Sequence, residues 1–247
     1  MRNQLFASTA ILAISTGVAF ASDLPTHKAP PPPAPVVQPF SWTGFYAGVE
    51  GGFGWGEEND NLRSITGYPL DHFNVSGPIG GVKAGYNQQF NSLVVGIEGD
   101  VEASGIHGSK SGTFATDEGT GVGKLSMRNT WQSSIRGRVG WAWDRVLFYG
   151  TAGLAVADDN EKYYVDDPTF TNPWYGSSTK TLVGWTAGGG IDYAIDNHWT
   201  ASGEIRYADF GKANFWIPAG MSLSGTTTSF SAGFTETLAQ VGLSYKF

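Results

Sequence analysis

The final thirteen residues, Thr235 to Phe247, alternate with a period of two up to the carboxyl terminus. Counting back from Phe247, one face carries Tyr245, Leu243, Val241 and Ala239. The other carries Lys246, Ser244, Gly242 and Gln240, then Leu238 and Glu236. A β-strand repeats every two residues, so the segment presents one apolar and one mostly polar face. In a soluble sandwich the apolar face would meet a second sheet. In an outer-membrane barrel it meets lipid, and aromatic residues mark the interface. A strand closing on Tyr245 and Phe247 fits the second layout.

Seven earlier segments share this alternation: Thr43–Trp55, Pro78–Phe90, Leu93–Ser104, Met127–Trp143, Val146–Ala157, Leu182–Ala194 and Trp199–Phe210. In the clearest, Trp131, Ile135, Val139, Trp141 and Trp143 oppose Arg128, Gln132, Ser134, Arg136 and Arg138. Connections alternate between tight turns (Asn91-Ser92, Asp144-Arg145, Ile195-Asp196-Asn197) and runs of about twenty residues (Gly56–Gly77, Gly105–Ser126, Asp158–Lys180, Gly211–Ser231). Short turns at one end and long loops at the other are the asymmetry of barrels in the outer membrane. The expectation is an all-β fold: an eight-stranded antiparallel up-and-down transmembrane β-barrel with short periplasmic turns and long extracellular loops.

The segment before the barrel reads differently. Arg2, the apolar run Leu5 to Val18 and the small-x-small site Ala19-Phe20-Ala21 form an export signal over residues 1–21. That run is too short and too interrupted by Ser and Thr to span a bilayer as a helix. Residues 22–42 contain Pro30-Pro31-Pro32-Pro33-Ala34-Pro35, an extended polyproline stretch read as a periplasmic tether. The barrel domain then covers residues 43–247. Cysteine is absent, so neither a disulfide framework nor a thiolate site is available. Removing Arg2 leaves 14 of the 15 basic residues against 22 acids, near −8, which disfavours nucleic acid as a partner.

Parity places twelve charged residues inside the barrel: Glu50, Lys83, Glu98, Asp100, Glu102, Arg128, Arg136, Arg138, Asp192, Glu204, Arg206 and Glu236. Eight strands enclose an interior that side chains just fill. Charges there must pair or face water. The set therefore reads either as a structural ion-pair network or as the lining of a narrow conduit for ions and small solutes.

Catalytic and metal-binding patterns are not found, so neither an enzyme nor a cofactor is expected. His27, His72, His107 and His198 share no ligand spacing. The run Gly119-Thr120-Gly121-Val122-Gly123-Lys124-Leu125 imitates a phosphate loop, but Glu118 and Leu125 occupy positions that require Gly and Ser/Thr. It is expected to be a flexible loop. Acid groups in the first long connection (Glu57, Glu58, Asp60, Asp71) and the third (Asp158, Asp159, Glu161, Asp166, Asp167) read as solvated surface, with weak divalent-cation binding as the alternative. Tyr163, Tyr164, Trp174 and Tyr175 are aromatics suited to partner contact.

Three motifs resemble one family: Trp42-Thr43-Gly44-Phe45-Tyr46-Ala47-Gly48 opening the first segment, the proline tether after Ser22-Asp23-Leu24-Pro25, and Val241-Gly242-Leu243-Ser244-Tyr245-Lys246-Phe247 closing the last. They resemble the alphaproteobacterial outer-membrane immunogenic proteins, OmpA-like eight-stranded barrels of the porin superfamily. The resemblance implies an abundant surface antigen in the cell outer membrane that supports envelope integrity. Its implied partners are outer-membrane lipid, lipopolysaccharide and the barrel-insertion machinery, which would read Tyr245 and Phe247 as a terminal signal. Some relatives are described as porins or haemin binders, which adds a narrow pore, or a receptor for haemin or a host surface, as alternatives. No family motif assigns haem ligands in this sequence, and His72, His107 and Tyr68, which lie in outer connections, read as incidental loop residues.

Overall fold

A computed structural model of the 247-residue chain describes residues 40–60, 72–169, 171, 173–217 and 228–247. The export signal, most of the proline tether, Tyr68 and Asp71 lie outside the described residues.

The described chain forms ten antiparallel strands: β1 (Gly44–Asp60), β2 (Phe73–Phe90), β3 (Leu93–Ser104), β4 (His107–Thr116), β5 (Gly119–Arg128), β6 (Trp131–Trp143), β7 (Val146–Asp166), β8 (Trp174–Ala194), β9 (Trp199–Ile217) and β10 (Thr228–Lys246). Eight of them close a ring in the order β1-β2-β3-β6-β7-β8-β9-β10, with β1 paired to both β2 and β10. Closure leaves no strand edge open to lipid, which hydrocarbon requires because no water is there to satisfy an unpaired backbone group.

The short turns follow from residue chemistry. Asn91 (φ 56°) and Asp144 (φ 52°) take the left-handed conformation that Asn and Asp tolerate best. At the third turn Asp196 Oδ1 accepts the backbone N–H groups of His198 and Trp199, both at 2.7 Å. These two bonds hold its carboxyl below the usual aspartate range.

At bilayer level the outward positions are apolar and exposed: Phe45, Val49 and Phe53 on β1, Ile135, Val139 and Trp141 on β6, Val183 and Ile191 on β8. Aromatics bound the belt. Trp55, Trp131, Trp185 and Tyr207 stand towards the long-connection end, and Trp143, Tyr193, Trp199 and Tyr245 stand towards the short turns. Trp131 to Trp141 covers ten residue steps on β6. That is about 25 Å of height for a tilted strand, the height of an apolar barrel belt.

In the four connections expected as long loops, most of the described residues are strand. β1 runs to Asp60, β2 starts at Phe73, β7 reaches Asp166, β8 starts at Trp174 and β9 reaches Ile217. The expected flexible loop at Gly119–Leu125 is strand β5, paired along its length with β4. The barrel wall therefore continues beyond the bilayer, where β4 and β5 take over from β3 and β6 and the ring runs β2-β4-β5-β7. The polarity of the wall inverts there. Inward positions become apolar (Phe73, Val75, Leu125, Met127, Phe210, Phe234), while outward ones become polar.

The changeover has a defined joint. Ala103 pairs with Trp131 and His107 with Arg128, so the register shifts by one residue between these pairs. Ser104 N–H bonds Thr130 O and Asn129 N–H bonds Ile106 O, both at 2.9 Å, to carry the ladder across. On the β5–β6 side Met127 and Asn129 are buried, Thr130 and Trp131 are both exposed, and burial resumes at Gln132. This is a β-bulge, which bends the strand and resets its faces.

Candidate functional site

The barrel interior is filled in three layers. At the short-turn end Trp42, Val94, Ala142, Leu147, Tyr149 and Ala194 form an apolar floor, with Phe40 packed against it. Trp42 N–H donates to Gln89 Oε1 at 2.7 Å, which ties the incoming chain under the barrel.

The middle layer is charged. Arg136, 1% exposed, donates through Nη2 to Glu98 (2.7 Å) and Asp100 (3.0 Å) and through Nη1 to Glu204. Arg206 reaches Glu102 (2.7 Å) and Asp100 (3.2 Å). Arg138 pairs with Asp192, lies 3.6 Å from Glu98 and stacks 3.6 Å over the Tyr149 ring. Tyr46 donates to Glu98 (2.7 Å) and Tyr149 to Glu204 (3.0 Å). Lys83 pairs with Glu50 at 3.3 Å. Inward glycines make room for the two rings: a Cβ on Gly85 would meet Tyr46 Oη at 2.5 Å, and one on Gly190 would meet Tyr149 Oη at 2.5 Å.

The upper layer is an apolar plug of Ile79, Ile106, Leu182, Phe210, Phe234 and Leu238 with their neighbours. Glu236, 1% exposed, lies within it, between Leu238 and Phe234 along β10. Between floor and charged layer, a cavity bounded by Trp42, Tyr46, Lys83, Arg138 and Asp192 holds about 20 Å³. That is room for one or two water molecules.

Of the twelve expected interior charges, the structure gathers Glu50, Lys83, Glu98, Asp100, Glu102, Arg136, Arg138, Asp192, Glu204 and Arg206 into the central layer and buries Glu236 above them. Arg128 is not among them. It is exposed on the outer wall, because the bulge at Asn129–Trp131 reverses the faces of β5 relative to β6. Sequence parity also missed a second buried group, Glu58, Asp159 and Glu161, whose carboxylate oxygens all lie within 4.8 Å of one another. Burial, then the adjacent Asp158, pushes the Asp159 carboxyl up to about 7. The other such triad, Glu50, Asp100 and Glu102, belongs to the central layer, where Lys83 pairs with Glu50, Arg206 with Asp100 and Glu102, and Arg136 with Asp100.

The remaining loop readings resolve simply. His107 begins β4, with Nδ1 2.8 Å from Gly105 O, and His72 is exposed beside β2. The Tyr164 and Tyr175 rings pack together at 5.1 Å, with Tyr175 72% exposed.

A closed ring with lipid-facing apolar residues outside and charges inside defines an integral β-barrel of the outer membrane. The outer membrane protein beta-barrel domain family matches residues 33–247, and this chain belongs to that family. It is 33% identical over 258 residues to a 31 kDa outer-membrane immunogenic protein of Brucella melitensis biotype 1, covering 100% of both chains. It is 31% identical over 214 residues to a 22 kDa outer membrane protein of Rhizobium leguminosarum bv. viciae, covering 87% of this chain and 82% of that one. Among solved structures it resembles the outer membrane protein OprG of Pseudomonas aeruginosa, at 14% identity and a TM-score of 0.45 over 84% of this chain and 98% of that one. The protein is an outer-membrane surface protein, with its strand extensions and longer connections outside the cell.

Proposed function

We propose that this barrel is a closed, non-enzymatic surface anchor that stabilises the envelope and presents its extended outer wall, not a conduit. The observation that carries the reading is the filled interior. Every arginine and lysine of the central layer has a carboxylate partner, and apolar layers lie above and below it. An ion crossing it would have to break pairs inside a low-dielectric wall, which is costly. The names of the relatives as immunogenic outer-membrane proteins agree with a surface role. Planar-bilayer recording of folded protein tests the reading. It predicts no unitary conductance steps, and reproducible steps from heat-modifiable, folded material would refute it.

Residues 1–21 act in this reading as the export signal and the proline-rich stretch as the periplasmic tether. The mature chain is then expected to begin at Ser22. Intact-mass measurement of protein from outer membranes checks this, and a retained Met1–Ala21 segment would overturn it.

A further inference from the structure

The central layer holds more negative charge than its own cations balance. Among the described residues, six interior carboxylates (Glu50, Glu98, Asp100, Glu102, Asp192 and Glu204) share four cations (Lys83, Arg136, Arg138 and Arg206). The excess is concentrated at one place. Glu50, Asp100 and Glu102 each offer an oxygen within 4.8 Å of the other two. Lys83 reaches Glu50 through Oε2, and Arg136 and Arg206 both reach Asp100 through Oδ2. Glu50 Oε1 and Asp100 Oδ1 stay buried with no hydrogen-bond partner. The apolar floor lies below and the plug above, so water does not screen the difference. Uncompensated charge in such surroundings is strongly unfavourable.

Two further side chains point to what balances it. Glu236 is buried with no hydrogen-bond partner at either oxygen, and the charges that act on its carboxylate are those of Arg206 and Glu102. Gln132 donates through Nε2 to Glu102 at 3.1 Å, while its own Oε1 is buried and accepts nothing. A carboxylate can relieve itself by taking a proton, but an amide oxygen cannot. Carboxylate and amide oxygens, with no nitrogen or sulfur donor among them, are the ligand set of a hard divalent cation. Calcium–oxygen distances of about 2.3–2.6 Å let ligands on opposite sides of the ion stand up to about 5 Å apart, whereas magnesium at about 2.0–2.1 Å needs a tighter set. The 4.8 Å spread of the triad fits the larger ion. One divalent charge also equals the difference between the six carboxylates and the four cations.

We infer that the barrel interior binds one calcium-sized divalent cation between Glu50, Asp100 and Glu102, with Gln132 and Glu236 as the adjoining oxygen donors. The ion is a structural counterion, taken up as the barrel closes and sealed in by the layers above and below. This goes beyond the anchor reading and depends only on the inward placement of these residues. A barrel that conducts could still hold the ion, and a silent barrel without it would refute the ion alone.

The test refolds full-length mature protein in detergent with either calcium chloride or EGTA present, then desalts it. Elemental analysis of the folded protein should find one calcium per chain after refolding in calcium, and the ion should survive a brief EGTA wash. Calcium present at ten times its dissociation constant should raise the folded-to-unfolded ratio about tenfold. Glu50→Gln and Glu236→Gln should each need about tenfold more calcium during refolding for the same uptake, since the charge on the ligands sets the affinity. Asp159→Asn, in the separate acid group higher in the barrel, should take up calcium like wild type. Folded wild-type protein free of calcium would overturn the proposal. So would an ion stripped at once by EGTA, which marks a surface site, or uptake lost in Asp159→Asn and kept in Glu50→Gln. Stability that rises on acidification with no response to calcium would assign the balance to protons instead, and would overturn it too. Should Glu50→Gln misfold, Glu236→Gln breaks no ion pair and supplies the same readout.

Discussion

The Asp158 carboxylate accepts the backbone N–H groups of Thr130 at 2.7 Å and Trp131 at 2.9 Å, and the Thr130 hydroxyl at 2.6 Å. Its own backbone carbonyl accepts from Asn129 Nδ2 at 2.9 Å. One residue of β7 therefore holds the bulge that joins β5 to β6. A bulge leaves ladder groups unpaired, and these bonds satisfy them.

Asp158→Ala is accordingly expected to lower stability by about 1–3 kcal/mol, since it orphans two backbone donors. Burial raises the carboxyl's pKa, but the bonds from Thr130, Trp131 and Asn160 outweigh it and leave the group below 3.8. A depressed folded pKa contributes stability above the ordinary aspartate value that disappears as pH falls through the folded one. Urea unfolding of both proteins at a series of pH values checks this. The gap should be full at neutral pH and shrink below 3.8, and a gap independent of pH would count against the arrangement.

Asp159 has the opposite sign. Its folded value near 7 against an ordinary 3.8 means that the folded state holds a proton the unfolded state releases. The cost of its charge therefore grows between those two values and is constant above them. The charged groups around it are Glu58, Glu161 and Asp158, with Lys180 opposite on β8. Asp159→Asn should raise stability at pH 8 by up to about 4 kcal/mol and change little at pH 4. Stabilisation equal at both pH values would show that the gain came from packing alone.

The central layer predicts an asymmetric response. Arg136→Met takes away the one cation shared by Glu98, Asp100 and Glu204, and breaking a buried network in this way costs about 3–5 kcal/mol. Arg128→Met, of the same chemistry but outside the barrel, should cost less than about 0.5 kcal/mol. Unfolding midpoints for the pair separate interior from exterior arginines, and equal losses would contradict the assigned faces.

How far sequence alone could see is set by the same parity. Within the lipid belt the two faces differ sharply, so a one-residue error would turn every side chain around, and Glu98, Asp100, Arg136 and Arg206 could be assigned inward from spacing. Extending that parity across Asn129–Trp131 places Arg128 inside, but the bulge there reverses the faces. A short polar pair before Trp131 was the only trace in the chain. Glu58, Asp159 and Glu161 escaped because they lie above the belt, where outward residues turn polar and the expected contrast reverses. Phe73, Val75, Phe210 and Phe234 still alternate there, but periodicity cannot tell a lipid face from a plugged lumen. The terminal strand needed no such help: Phe247 N–H bonds Phe45 O at 3.0 Å, and β10 closes on β1 from Tyr46↔Lys246 upward.

That closure separates what Phe247 contributes to stability from what it contributes to assembly. Only its backbone is paired. Its ring is 74% exposed and meets Tyr245 edge-on at 5.3 Å. Phe247→Ala keeps the backbone bond, so refolded protein should unfold within roughly 0.5 kcal/mol of wild type. We propose that Tyr245 and Phe247 instead form the signal read by the barrel-insertion machinery, and the cost should then appear only in cells. The measurement is the ratio of folded to unfolded bands on an unboiled detergent gel, taken from outer-membrane fractions and from protein refolded in detergent. A loss of folded band in membranes, with none after refolding, is the expected result. Equal ratios in both preparations would remove the signalling role and leave Phe247 as one more ring of the periplasmic girdle.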